Sequence, residues 1–345
     1  MRSLLSVIQS VNDKFRYPIL ARDPFKSLFD ADWYFKAYPN VARLGLDPLN
    51  HYFKYGFREG CDPHPLFAND WYLRQNPDVA KAGINPLLHF VAAGAGEGRD
   101  PHPLFWLSWY LEQNQDVASV GVNPLLHYLR HGGVEGRKPN PIFDSGWYLK
   151  RNRDVAKAKV NPLIHYLRYG AKEGRDPHPI FAGRWYLERN EDVAAIGINP
   201  LIHYVCNGAE ERRAPHPAFS VDWYLAHEPD IYIPNPLAHY VGQGNRKGLS
   251  PHPLFDHKWY LEHRLTPDFY GNPAFADMLD SDDYTVGPSP NFDFAWYCLR
   301  YPDVLETGIH PFVHFVTRGV YEGRIPARSR ESDATNASVW MQYRP

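Results

Sequence analysis

Cysteine is scarce in this sequence: 345 residues contain three, Cys61, Cys206 and Cys298. They form neither a disulfide framework nor the paired spacing of a zinc site. The N-terminal segment also lacks the continuous apolar core of a secretory signal. These absences favour a reducing compartment, and we expect a cytoplasmic protein.

Other absences exclude whole classes of function. The formal net charge is −2, so no overall basic field favours nucleic acid as a partner. No apolar run approaches the length of a transmembrane helix. The sequence contains no Gly-rich phosphate loop, nucleophile elbow or HExxH-type helix. We therefore predict no nucleic-acid partner, transmembrane segment, cofactor, metal or catalytic residue.

What the chain does contain is a repeat that opens with Trp-Tyr. Successive copies are 38, 38, 38, 38, 38, 36 and 37 residues apart. A period of this size indicates supersecondary units that stack and share a continuous core. Repeats one to eight open at Trp33, Trp71, Trp109, Trp147, Trp185, Trp223, Trp259 and Trp296.

Repeat two shows how one unit is built. Trp71 lies in a first short helix, Asn76 caps a second helix that begins at Pro77, and Asn85 caps a third that Gly94 ends. A Pro-rich segment then links it to the next unit. The predicted fold is all-α: an α-solenoid of about eight ~38-residue repeats, each with three short helices and an extended linker.

The apolar residues of repeat two predict its core. Leu87, Phe90 and Val91 share one face of the third helix, and Val79 adds bulk from the second. Trp71 is predicted to be buried with them. The alternative is that the tryptophans form an exposed aromatic platform for sugars or bases.

The array is predicted to cover residues 29–326. Residues 1–28 carry apolar residues at helical spacing and are predicted to form a capping helix over repeat one. The alternative is contact of residues 1–16 with a membrane surface. Residues 327–345 are predicted to be a flexible tail.

The pattern W-Y-L-x-x-N-P-D-V-A-x-x-G-x-N-P-L-x-H-Y-x-x-x-G-x-x-E-G-R-x-P resembles a known bacterial tandem repeat. That repeat is attached to glycosyltransferases and rhamnan-synthesis-type proteins of surface-polysaccharide assembly, and similar units occur in some large secreted calcium-binding proteins. The resemblance implies a pathway and not an activity, because the chemistry of those proteins lies in neighbouring domains.

Two sets of histidines recur, one on the third helix and one between two prolines. Neighbouring helices lie about 8–10 Å apart, so one histidine per repeat cannot converge on a single metal. We predict structural histidines, with a binding surface that includes His102 and His178 as the alternative. The sets are His51, His89, His127, His165, His203, His239 and His314, and His64, His102, His178, His216 and His252.

Arginine recurs in a Glu-Gly-Arg triplet, at Arg99, Arg137, Arg175 and Arg324. One interpretation is an inter-repeat ion pair with the aspartate of the Asp-Val-Ala segment, such as Asp78. The other is a row of guanidinium groups that binds phosphate or carboxylate.

Repeat seven departs from the pattern. Phe275 stands where the histidine is expected, and Asp280 and Asp282 form an Asp-x-Asp triplet. Such a triplet holds metal and nucleotide sugar in many glycosyltransferases, but no nucleotide-binding segment accompanies it. A solvated acidic loop is the favoured interpretation, and we predict that the irregular unit bends the array or forms a pocket.

The leading functional prediction is a non-catalytic scaffold that recruits glycosyltransferases or other proteins of surface-polysaccharide assembly, in the cytoplasm or at the membrane surface. The alternatives are a carbohydrate-binding array and a protein that assists or retains transferase activity. Exposure of the tryptophans separates the first two. The candidate binding residues are Arg99, Arg137, Arg175, His102, His178, Asp280 and Asp282.

Overall fold

The computed structural model describes residue 25 and residues 27–264 and 273–328. Apart from isolated bridges such as His64–Phe67, these residues contain no strand, and a set of short helices recurs with the period of the repeat, as predicted. The all-α repeat fold is therefore confirmed. The chain divides into two compact units, Met1–Asn140 and Pro141–Pro345. Most of the predicted capping helix and tail, including residues 1–16, lies outside the described residues.

The first helix of each repeat carries the Trp-Tyr pair, and in five of the eight repeats a side chain caps it as predicted. The Asp30 carboxylate accepts a hydrogen bond from the Trp33 N–H at 2.9 Å. The same cap is made by Asp144, Asp256, Asp293 and Ser220. The first helices span Ala31–Ala37, Asn69–Gln75, Leu107–Gln113, Ser145–Arg151, Gly183–Arg189, Val221–Ala226, His257–His263 and Phe294–Arg300.

The second helix is short, and it is missing from repeat six, where residues 227–235 form turns. Pro77 takes the first helical position as predicted, but the Asn76 side chain does not cap this helix. Its amide instead donates to the Tyr72 carbonyl at 2.7 Å, which ties the second helix to the first. The second helices span Pro39–Arg43, Pro77–Lys81, Gln115–Val120, Arg153–Ala158, Glu191–Ile196 and Asp303–Glu306.

The third helix has one α-helical turn and then a π-helical turn. Asn85 caps it through the Leu88 N–H, as predicted. The α-helical parts are Pro48–His51, Pro86–His89, Pro124–His127, Pro162–His165, Pro200–His203, Pro236–His239 and Pro311–His314. The π-helical parts are Tyr52–Gly56, Phe90–Gly94, Tyr128–Gly132, Tyr166–Gly170, Tyr204–Gly208, Tyr240–Gly244 and Phe315–Gly319. Such turns are usually rare and single, so their recurrence is a property of this repeat.

The glycine that closes each π-helical turn makes room for a side chain. A methyl group on Gly94 would overlap the hydroxyl of Tyr72, which lies against the glycine backbone. Gly94 is absent from the glycines with positive φ, so it is not required as a left-handed helix stop. The sequence prediction of a stop signal was incomplete, because close approach of the tyrosine is the physical requirement.

The core of each repeat is built on tyrosine and not on tryptophan. Tyr72, Leu87 and Phe90 are fully buried, but Trp71 and Val91 are partly exposed. The predicted burial of Trp71 was therefore wrong. Adjacent residues point about 100° apart on a helix, so only one member of a Trp-Tyr pair can face the core.

The extended linker joins consecutive repeats through backbone hydrogen bonds. In the first unit, the Ala68 N–H donates to the Pro101 carbonyl at 3.0 Å. The Asp100 carboxylate accepts a hydrogen bond from the Leu107 N–H at 2.7 Å. Leu107 is the first residue of the next repeat's first helix. Burial raises the pKa of Asp100 to about 6. The linker thus also positions the following helix.

Candidate functional site

The histidines of the third helix pair with the core tyrosines. The Tyr72 hydroxyl lies 2.9 Å from His89 Nδ1, and Tyr148 and His165 show the same distance. Burial is the main cause of the lowered pKa of His89. This contact recurs within repeats one to six and eight. The predicted structural role of this set is therefore borne out by its contacts.

The histidines between two prolines are almost completely buried. Nδ1 of His102 accepts the Leu104 N–H at 3.0 Å, and Nδ1 of His178 accepts the Ile180 N–H at 3.1 Å. Burial lowers the pKa of His102 to about 3, so the ring is neutral at pH 7. Each of these rings closes the backbone turn of its linker.

The arginines of the Glu-Gly-Arg triplets are engaged by their own repeats. Arg99 contacts Asp78 at 2.8 Å and Glu97 at 2.7 Å, and it donates to the Asn76 side chain at 2.9 Å. The guanidinium lowers the pKa of Asp78 to about 2. Arg137 and Arg175 are held in the same way. The predicted Arg–Asp pairing is present, but it lies within a repeat and not between repeats.

A fifth copy of this cluster escaped the sequence pattern. Arg213 contacts Asp192 at 2.7 Å and Glu211 at 2.5 Å. Arg212 occupies the place of the triplet's glycine, so a search for Glu-Gly-Arg misses it. The constant spacing of 21 residues between Asp192 and Arg213 was the signal that would have found it.

The tryptophans lie at the surface, and in some repeats the side chain four residues later in the chain lies against the tryptophan ring. Trp223 is 37% exposed, and the other seven are partly exposed. The guanidinium of Arg151 lies 5.7 Å from the Trp147 ring, and Arg189 lies 5.7 Å from the Trp185 ring. The aromatic-platform alternative is therefore geometrically available.

Repeat seven is built differently from the regular repeats. The Tyr260 hydroxyl donates to Asp277 at 2.8 Å, and Arg264 contacts the same carboxylate at 2.9 Å. Phe275 is instead fully buried and packs against Phe255 with ring centroids 4.9 Å apart. Asp277, and not Phe275, thus replaces the histidine as the tyrosine's partner.

A pocket of about 330 Å³ lies in the second unit beside repeat seven. In repeat seven, Ala274–Asp280 is a continuous α-helix. The regular repeats have an α-helical turn followed by a π-helical turn at this position. Asp280 lies 3.8 Å from Lys150 and 3.9 Å from Arg151, residues of repeat four. The polar and aromatic lining includes Trp147, Arg151, Arg175, His178, His216 and Asp280. Asp280 of the irregular repeat therefore lines a pocket, which is one of the two alternatives predicted for this repeat.

The pocket brings together three of the seven candidate residues. Arg175, His178 and Asp280 line it. Asp282 is exposed and is not part of its lining, so the Asp-x-Asp triplet does not act as a pair there. Arg99, Arg137 and His102 belong to the other unit. Sequence reasoning missed the remaining residues because they come from repeats far apart in the chain.

The pKa shifts of the pocket's ionisable groups have structural causes. Burial raises the pKa of Asp176 to about 6, but Asp62 and Asp100 show the same shift where they cap a helix in the same way. Burial lowers the pKa of His216 to about 3 and that of His310 to about 4. These shifts arise from the repeat itself and do not single out an acid or a base for catalysis.

Within the described part of the chain, no three His, Cys, Asp or Glu side chains gather closely enough to hold a metal ion. None of the described helices has the length and apolar character that a membrane crossing requires. No family model, curated protein or solved structure matches the chain. Function must therefore be inferred from the geometry and from the resemblance of the repeat.

Proposed function

We propose that this chain is a non-catalytic carbohydrate-binding repeat protein. The observation that carries the proposal is the pocket in which Trp147, Arg151 and Asp280 meet. The sequence alone favours a protein-recruiting scaffold over a carbohydrate-binding array, and the exposure of the tryptophans distinguishes the two. Partly exposed tryptophans favour carbohydrate as the ligand.

The lining suits the two kinds of surface that a sugar ring presents. The C–H face of a pyranose packs on an aromatic ring, and its hydroxyl groups bind planar polar side chains. The Trp147 side chain is partly exposed, so part of its ring can pack against a sugar in the pocket. The lining contains two arginines, Arg151 and Arg175, and two aspartates, Asp176 and Asp280, a charge balance that suits a neutral or weakly charged saccharide.

The resemblance of the repeat supports the same ligand class. Units with this pattern are attached to proteins of bacterial surface-polysaccharide assembly. Under this proposal, the chain would hold a surface polysaccharide or its precursor close to the enzymes that build it. Glycosyltransferases as partners, and a cytoplasmic or membrane-peripheral location, are parts of the proposal.

The test compares two equivalent tryptophans. Trp147 lines the pocket, whereas Trp185 has an equivalent arginine neighbour, Arg189, but does not line the pocket. A glycan array of bacterial surface-polysaccharide fragments would identify a ligand, and titration of intrinsic fluorescence would give its affinity. We expect Trp147→Ala to weaken binding about tenfold or more, which is about 1.4 kcal/mol, and Trp185→Ala to change it little. An array on which no glycan binds would contradict the proposal.

Protein recruitment is a second candidate because aliphatic side chains are exposed where the second helix ends. Val120 is 73% exposed in the first unit, and Ile196 is 71% exposed in the second. A single exposed aliphatic residue is ordinary on a protein surface, so it is the recurrence at equivalent positions that suggests a protein contact. The double variant Val120→Glu, Ile196→Glu should lose glycosyltransferases that co-purify with the wild-type chain. Equal recovery with both proteins would reject this surface as the contact.

A further inference from the structure

A second pocket, of about 420 Å³, lies where the end of repeat five meets repeat six. Repeat six is 36 residues long instead of 38, and residues 227–235 form turns where the second helix would lie. Those turns and the preceding Glu-Arg-Arg turn form the pocket's walls. Its lining includes Glu210, Arg212, Asp222, Leu225, Glu228 and Tyr232.

One wall of this pocket is held in an unfavourable backbone conformation. Arg212 has φ of 57°, in the left-handed region, and its counterparts Gly98 and Gly174 have φ of 73° and 72°. A side chain disfavours this region, which glycine adopts freely. Among the described residues outside glycine, only Lys159 shares a positive φ, and it does not line the pocket. Strain of this kind concentrates at sites where the side chain has a use.

The Arg212 guanidinium is available to a ligand. Its side chain is 68% exposed, and its ion pair with the Asp222 carboxylate is long, at 4.0 Å, with the Asp222 side chain 88% exposed. In contrast, the neighbouring Arg213 makes close contacts with Asp192 and Glu211. In this turn, Arg213 is closely paired with carboxylates, whereas Arg212 is exposed to solvent and to a ligand.

Tyr232 supplies the aromatic surface. Its side chain is 83% exposed, although tyrosines of the repeat core are fully buried. Glu210, Asp222 and Glu228 also line the pocket, and Lys247 contacts Glu228 at 3.0 Å. Carboxylates outnumber the cations around the pocket, which disfavours an anionic ligand and leaves acceptors for hydroxyl groups.

We infer that this pocket is a second saccharide subsite and that it takes a neutral sugar residue. The Tyr232 ring packs against the sugar's C–H face, and Arg212 and Asp222 hydrogen-bond its hydroxyl groups. The inference rests on the proposed carbohydrate binding and adds a site that the regular repeats lack. It explains why a strained arginine stands where the other repeats use glycine.

Replacement of the strained residue gives a test with two opposite readouts. Arg212→Gly removes the backbone strain and should raise the midpoint of urea unfolding, while it removes the donors of the subsite. Lys159→Gly is the matched control, because it relieves the same kind of strain away from the pocket. We expect both variants to be more stable than wild type, and only Arg212→Gly to bind the sugar about tenfold more weakly.

Binding would be measured by saturation-transfer NMR with the methyl glycosides of rhamnose, mannose, glucose, galactose and glucuronic acid as probes. Tyr232→Ala should reduce the signal of the bound neutral glycoside, and Trp147→Ala should leave this subsite's share of the signal intact. Unchanged signals in Arg212→Gly and Tyr232→Ala, with wild-type binding present, would overturn the second subsite alone. Preference for the glucuronide would overturn its neutral specificity. Absence of all binding to the wild-type chain would contradict the proposed function as well.

Discussion

Repeats four and seven meet the same structural demand in different ways. In both, a tyrosine of the first helix is buried and its hydroxyl contacts a residue 17 positions later. Repeat four uses His165 and then a π-helical turn that ends at Gly170. Repeat seven uses Asp277 within a continuous α-helix and adds Arg264 to balance the carboxylate. The tyrosine's need for a partner is fixed, and the partner's chemistry can change.

The difference shows where this array has room for a ligand. A regular repeat uses its first-helix tyrosine, its third-helix histidine and its Glu-Gly-Arg arginine in contacts within the repeat, and its partly exposed tryptophan is not part of these contacts. The two irregular repeats, six and seven, each contribute to a pocket. Binding chemistry is thus expected where the pattern is interrupted, on a framework that the regular repeats hold in place.

The largest effect should come from the glycine that receives the tyrosine. A methyl group at Gly170 would overlap the Tyr148 hydroxyl, whereas one at Gly242, in another π-helical turn, meets no atom within 4 Å. We expect Gly170→Ala to lower the free energy of unfolding by about 3 kcal/mol, through overpacking and loss of the Tyr148–His165 contact. Gly242→Ala should leave it unchanged or raise it slightly. Urea unfolding followed by circular dichroism measures both, and equal stabilities would show that close approach is not the reason for glycine.

The next effect tests the substitute partner in repeat seven. Asp277→Asn keeps an acceptor for Tyr260 but removes the charge that faces Arg264, in a pair whose side chains are 18% and 20% exposed. We expect a loss of about 2 kcal/mol in the free energy of unfolding, since an unpaired charge is left in a partly buried place. Asp192→Asn is the control, because that carboxylate is 62% exposed and its ion pair should matter little. An equal change in the two variants would mean that repeat seven has no special dependence on its carboxylate.

Most of the architecture could be predicted from the sequence because it is local and repeated. Asp30 and Asn85 occur at cap positions in a fixed register, so helix starts follow from their spacing. The choice of tyrosine over tryptophan for the core did not follow, because both are large and aromatic. The Tyr72–His89–Gly94 spacing, which recurs in most repeats, contained the answer. The pocket was beyond sequence reasoning, since Arg151 and Asp280, which both line it, are separated by 129 positions that no local pattern connects.

A third prediction concerns pH and uses a residue that repeat three already supplies. Asn140 takes the position of the buried linker histidine and donates to the Leu104 carbonyl at 2.7 Å. His102 has a folded-state pKa of about 3 against 6.5 for the free side chain, so its contribution to stability is complete above pH 6.5 and is lost as the pH falls towards 3. His102→Asn should therefore lose about 1.4 kcal/mol less than wild type between pH 8 and pH 5.5.

Urea unfolding at the two pH values measures this difference directly. Asp100, whose pKa burial raises to about 6, titrates in both proteins, so its contribution cancels in the comparison. Parallel pH profiles for wild type and variant would show that the histidine is accessible to protons in the folded state. A smaller acid loss in the variant would mean that regular repeats become more acid-resistant when they adopt the asparagine of repeat three.

The smallest effect separates strain from function. Lys159 ends the second helix of repeat four with φ of 52°, where Gly83, Gly121 and Gly197 have φ of 61°, 69° and 65°. Lys159→Gly should raise the free energy of unfolding by about 0.5 kcal/mol, because relief of the left-handed strain is partly offset by the greater entropy of glycine in the unfolded chain. Differential scanning calorimetry would detect this as a small rise in Tm. A lower Tm would mean that the lysine stabilises the turn by a contact of its own. A positive φ at a residue other than glycine would then not by itself indicate a function. The role of Arg212 would have to be judged from the effect of Arg212→Gly on sugar binding.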